Sequence, residues 1–120
     1  MAQPGHYQVS TTIDSEAAAA ELAASAVRAR VAACGQVVGP ITSVYWWQGD
    51  VENAAEWLVL FKTAGDRRDA LVEHLRSVHS YDVPEIICTP ITSGNPAYLE
   101  WVREETQPYR PPQPPPDLVG

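Results

Sequence analysis

Basic side chains are scarce in this chain. Eight basic residues, of which only Lys62 is a lysine, stand against 15 acidic ones, for a formal charge of −7 across 120 residues. They form no stripe or cluster, which argues against nucleic acid and anionic membrane surfaces as partners. Cysteine is equally sparse. Cys34 and Cys88 lie far apart and make no Cys-x-x-Cys unit, so they read as reduced thiols rather than a disulfide framework. No apolar run is long enough to span a bilayer, and Met1 to His6 has neither the charged start nor the apolar stretch of a leader. The expectation is a cytoplasmic protein. The seven glycines are scattered, so no phosphate loop follows a strand; a Gly-x-Ser-x-Gly elbow and a His-Glu-x-x-His helix are missing too. A Cys–His pair stays open, because such partners meet only in space, but the expectation is no enzyme. Phenylalanine occurs once, whereas four Trp and five Tyr are present. Rings of the latter kinds are favoured in subunit interfaces, which points to self-association.

What is present is punctuation. Tyr7 to Ile13 reads as a first strand, ending at an Asp14-Ser15 helix start with Glu16 well placed for the helix dipole. The alanine-rich run Ala17 to Ala33 is helical by propensity, with Ala19, Leu22, Ala23, Ala26, Val27 and Val31 on one narrow face and Gly35 as the stop. Val37-Val38 open a second strand, broken at Gly39-Pro40 and resumed over Ile41 to Trp47. Gln48-Gly49-Asp50 turns the chain and Trp57 to Lys62 returns, with Val51 to Glu56 as an irregular arm of a long hairpin. Of the neighbours Trp46 and Trp47, alternation sends one ring toward the core and the other outward. Asp66 and Asp69 resemble the cap of a second helix, whose apolar side is Leu71, Leu75 and Val78. Val83 to Ile91 is the fourth strand. Asn95 as cap and Pro96 as first helical residue open a third helix reaching about Glu105, with Tyr98, Leu99 and Trp101-Val102 as its apolar stripe.

The order β-α-β-β-α-β plus a helix is the ferredoxin-like split arrangement of an α+β domain. It divides the chain into a flexible N-terminus (1–6), one domain (7–107) and a proline-rich, disordered tail (108–120). Pro108-Tyr109-Arg110-Pro111-Pro112-Gln113-Pro114-Pro115-Pro116 favours an extended polyproline conformation that an aromatic groove on an unknown partner could accept.

Metal ligation is the chemistry these residues best allow. His79 stands where the second helix ends, beside Tyr81-Asp82. Imidazole suits copper and zinc, and the Cys34 thiolate suits reduced copper. His79 is therefore the first candidate ligand, with Cys34 and Asp82 after it. The alternative for His79 is a helix-terminal imidazole facing the dipole, and for both cysteines a small buried side chain.

Two runs, His79-Ser80-Tyr81-Asp82-Val83-Pro84-Glu85-Ile86-Ile87 and Gly94-Asn95-Pro96-Ala97-Tyr98-Leu99-Glu100-Trp101, resemble the signature of the CutA family of divalent-cation tolerance proteins. Val31-Ala32-Ala33-Cys34, Ser43 to Gly49 and Lys62-Thr63 are similar to further family motifs in the same order. The resemblance covers about Val9 to Glu105. It implies a ferredoxin-like homotrimer built like the PII signalling proteins, which binds copper or another divalent metal ion and serves in metal tolerance. A metal site at a subunit boundary is the first function expected. An inter-subunit cleft for a small anion or nucleotide is the second, and a stable scaffold the third. The chain departs from the family pattern where copper is concerned. Thr11 stands in place of a first-strand cysteine, Val78 replaces the first of two adjacent histidines, Ser80 stands for a proline, and Cys34-Gly35-Gln36 replaces Cys-Val-Asn. Fewer soft ligands weaken a copper site of that type.

Overall fold

In the computed structural model, which describes residues 5–108, four strands and three helices follow the expected order. They are β1 (His6–Ile13), α1 (Glu16–Arg28), β2 (Cys34–Trp47), β3 (Asp50–Ala64), α2 (Arg68–Val78), β4 (Ile86–Pro90) and α3 (Pro96–Glu105), with a 3₁₀ turn at Gly65–Arg67 before α2. The sheet order is β2-β3-β1-β4 with every pair antiparallel, which is the ferredoxin-like arrangement. The proline-rich tail lies outside the described residues. β1 begins at His6, whose Nε2–H donates to the Leu99 carbonyl at 2.7 Å, so this histidine is held in the domain and not in a frayed end.

Alternation along the strands makes two unequal faces. Tyr7, Val9 and Ile13 of β1 point with Val59 and Phe61 of β3 toward the helices. There they meet Ala19, Leu22 and Ala26 of α1 and Leu71 and Leu75 of α2. The small α1 side chains let that helix lie close to the sheet. Gly35 shows how close, because a Cβ there would stand 2.8 Å from the Ala23 Cβ and 3.2 Å from its Cα. Gly35→Ala is expected to cost about 1–3 kcal/mol through this overlap, read as a lower denaturation midpoint with unchanged slope.

Several local expectations fail for reasons visible in the coordinates. The alanine-rich helix stops at Arg28 rather than Ala33, so Cys34 opens β2 instead of closing α1. The stop is a Schellman turn: Arg30 N–H donates to the Val27 carbonyl and Val31 N–H to that of Ala26, with Arg30 at φ 62°. Glycine usually holds that position; here Arg30 does. Asp66 caps nothing. α2 starts from Arg67 with no side-chain cap, on the end of the 3₁₀ turn. Val78 is exposed, so the buried side of α2 is Leu71 and Leu75. Val83 to Glu85 precede the strand rather than belong to it.

The hairpin is longer and more regular than expected on its β3 arm, and the irregularity lies in β2. Val38 pairs with Leu58 and Ile41 with Glu56, so three steps on β2 match two on β3, a one-residue bulge at the cis Gly39–Pro40 bond. Gln48 and Gly49 both take positive φ, giving the tight two-residue turn whose twist suits a hairpin. Neither neighbouring indole reaches the core of the chain: Trp46 is 75% and Trp47 59% exposed. They sit on a two-stranded arm with no helix over it.

Candidate functional site

The sheet face opposite α1 and α2 carries the chemistry that the packed face cannot. Because Gly35 faces Ala23 of α1, Cys34 and Gln36 on either side of it point the other way. The register then sets Cys34 of β2, Lys62 of β3, Gln8 of β1 and Thr89 of β4 in one row across all four strands. The next row toward the hairpin is Gln36, Leu60, Ser10 and Ile87.

α3 reaches this face at the polar row. Asn95 caps it as expected, its side chain accepting from Ala97 N–H, with Pro96 in the first turn. Two arginines that no sequence motif singles out hold its other end. Arg67 Nε donates to the Thr106 carbonyl at 2.7 Å, and Arg30 donates to both the Glu105 carbonyl and its carboxylate, at 3.2 and 3.1 Å. Cations at a helix C-terminus oppose the negative end of the helix dipole. Val102 and Thr106 are fully buried by this anchoring, and Tyr98 is brought within 3.5 Å of Cys34 Sγ through its hydroxyl. That hydrogen bond, with burial as the second cause, pushes the Tyr98 phenol up to about 12. Cys34→Ala is expected to move the Tyr98 titration down toward the usual value, followed by the ring-carbon shift of this tyrosine in an alkaline NMR titration. Beside this pair, Trp101 packs against Tyr98 with ring centroids 5.6 Å apart and lines an open groove of about 450 Å³ together with Val27, Arg28, Arg30 and Glu105.

His79 lies at the opposite end of the sheet. It is the C-cap of α2 and buried. Both ring nitrogens are used. The Thr12 carbonyl can only accept, so Nε2–H donates to it at 2.9 Å; the Tyr81 amide can only donate, so Nδ1 accepts from it at 3.1 Å. The imidazole thus ties α2 and the loop after it to the end of β1. Tyr81 stacks on it with centroids 4.8 Å apart and donates its hydroxyl to Glu56 at 2.8 Å. Burial and the Glu56 carboxylate raise the Tyr81 pKa far above the ordinary phenol value.

The three proposed ligands therefore do not meet in one chain. Cys34 lies in the row of Gln8, while His79 bonds the backbone at Thr12, four residues further along β1. Asp82 is exposed in the loop after His79. Among the described residues no three His, Cys, Asp or Glu side chains converge as a metal shell would require. Cys88 packs against the core, and burial raises its pKa, as for an inert thiol. Sequence reasoning missed Lys62, Gln36 and Tyr98 as neighbours of Cys34, since the row joins residues from separate strands and a helix. Lys62-Thr63 was visible only as part of a strand.

Residues 7–105 match the family model described as CutA1 divalent ion tolerance protein. A rice protein named "Protein CutA 1, chloroplastic" is 44% identical over 99 residues, covering 82% of this chain and 56% of the relative. The chain thus spans little more than half the length of that relative. The divalent-cation tolerance protein CutA of Thermus thermophilus is 43% identical over 95 residues, with 79% and 92% covered. The crystal structure of CutA1 from Oryza sativa superposes with a TM-score of 0.83 at 42% identity, covering 87% of this chain and 95% of that one.

Proposed function

Because this chain belongs to the CutA1 divalent ion tolerance family, we propose that it assembles with copies of itself and takes part in tolerance of divalent metal ions. The observation that carries the reading is the family match over residues 7–105 on a sheet of the same form. Assembly as a homotrimer is supported by the apolar surface that one chain leaves uncovered. Ile87, Val38 and, along the hairpin arm, Val44, Trp46, Trp47 and Val51 all stand in solvent. A contiguous apolar surface of this extent fits an interface between subunits, and closed symmetry would also cover the strand edges at β2 and β4.

Metal enters this reading as cargo. A single chain does not fit the role of a metal shell, since the His79 nitrogens are taken and Cys34 and Asp82 lie apart. We place copper or another divalent ion at a boundary between copies, with Asp82 and Cys34 as the ligands that keep accessible donor atoms. The free thiols fit a reducing compartment, and we read the protein as cytoplasmic. Among the described residues no helix is long and apolar enough to cross a membrane. We read the role as binding, not catalysis. The nearest approach to a nucleophile–base pair, Ser25 Oγ with His74 Nε2 at 2.7 Å, has no carboxylate orienting the imidazole among the described residues.

Light scattering coupled to gel filtration should give the mass of three chains at micromolar concentration. Isothermal titration with copper on that assembly should show uptake weakened in Cys34→Ser or Asp82→Asn. A monomer mass removes the assembly; heat from dilution alone, with the trimer intact, removes the metal and leaves the assembly standing.

A further inference from the structure

Lys62 is the only lysine in a chain of formal charge −7, yet no carboxylate among the described residues lies within ion-pair distance of it. Five arginines have such a partner: Arg28, Arg30, Arg68, Arg76 and Arg103. The half-buried Lys62 ammonium instead donates to a neutral acceptor, Gln36 Oε1, at 3.0 Å. An ammonium carries three donor hydrogens, so two remain for another group.

The surroundings of Lys62 are rich in donors. Cys34 is its direct cross-strand neighbour on β2, which puts the two Cβ atoms about 4.5–5.5 Å apart on the same face. Cys34 and Tyr98 share one hydrogen bond between a thiol and a hydroxyl. Whichever of them donates, the other keeps a hydrogen to offer outward. Gln8 and Thr89 continue the row on β1 and β4. What the row lacks is a negative charge to accept from these groups.

We infer that the open sheet face at Lys62, Gln36, Cys34 and Tyr98 binds a small monocarboxylate. The charge count selects this class. One ammonium balances one negative charge, and no arginine stands in the row to neutralise a second. Nucleotides and inorganic phosphate, which carry more charge, are disfavoured there, as they are by the acidic balance of the whole chain. The same ammonium opposes a metal cation at Cys34 unless a bound anion offsets it, so anion and metal at this thiol are expected to be coupled. The carboxylate binding itself does not depend on the metal reading.

The test is a titration of the ¹⁵N-labelled full chain with sodium acetate, following the backbone amides of Cys34, Gln36, Lys62 and Tyr98. Sodium phosphate and sodium chloride serve as matched-ionic-strength arms. Acetate should give saturable shifts at these amides in the millimolar range. Lys62→Met and Lys62→Gln should weaken them by about tenfold or more, the scale of one charge-assisted hydrogen bond, while Lys62→Arg should retain them. Shifts that never saturate in the parent protein overturn the inference without any variant having to fold. Equal affinity for phosphate or chloride overturns it too. So does a Lys62→Met protein that elutes as a smaller assembly, because the missing negative charge would then come from a neighbouring copy.

Discussion

Phe61→Ala is expected to lower unfolding stability by about 3–5 kcal/mol, the largest single effect in the chain. Phe61 is the one phenylalanine and is fully buried. It sits at the middle of β3, paired with Val9 on one side and Gly35 on the other, and belongs to the same cluster as α1 and α2 residues. The α1 side of that cluster is mostly alanine, which cannot expand to fill a lost ring. The cavity therefore stays largely open, which puts the cost toward the upper end. Urea denaturation at one fixed protein concentration measures it, because self-association adds to apparent stability. A loss under about 1 kcal/mol would mean that α1 closes onto the sheet, and that the close contact at Gly35 is softer than its geometry implies.

His79→Ala is expected to cost about 2–4 kcal/mol while leaving copper uptake unchanged. The substitution removes two hydrogen bonds and a ring contact, and it strands the Thr12 carbonyl and the Tyr81 amide in a region the imidazole had filled. Buried polar groups left without partners cost about 1–3 kcal/mol each, which sets the range. The loop carrying Tyr81 should loosen with it, since Tyr81 is held only by this imidazole and by Glu56. Tyr81→Phe, which keeps the ring contact and loses the Glu56 bond alone, should cost less. Denaturation and copper titration on the same His79→Ala preparation separate the two roles. Copper heat that vanishes with stability untouched would make His79 a ligand, and the hydrogen bonds would then have to open for metal.

The two histidine readings show how far sequence reaches. Placing His79 at the end of α2 needed only helix periodicity and the Pro84 signal downstream. That both its nitrogens are engaged could not be read, because Thr12 lies 67 residues away in the chain. Asn95 and Pro96 were legible as a helix start because a cap is made by neighbours in sequence. The stop of α1 was not, because the residue in the left-handed position is Arg30 rather than glycine. What offsets that choice is the pairing of its side chain with Glu105 on α3. Asp66 looked like a cap by composition, but the 3₁₀ turn takes the chain into α2 at Arg67 instead. Val83 fitted a strand by propensity, yet it is 90% exposed and only Ile86 onward pairs with β1.

Element order, the long hairpin and the alanine face of α1 thus follow from local signals: the period of apolar residues, turn residues and caps, each acting over a few positions. Those signals also carried the family motifs. The placement of chemistry did not follow from them. Lys62, Cys34, Gln8 and Thr89 become a row only once strand register is set, and register comes from the buried faces of β1 and β3 packing together. Tyr98 joins the row only because Arg30 and Arg67 fix the far end of α3. Side-chain convergence depends on contacts between segments distant in the chain, and those are set by packing, after the local elements have formed.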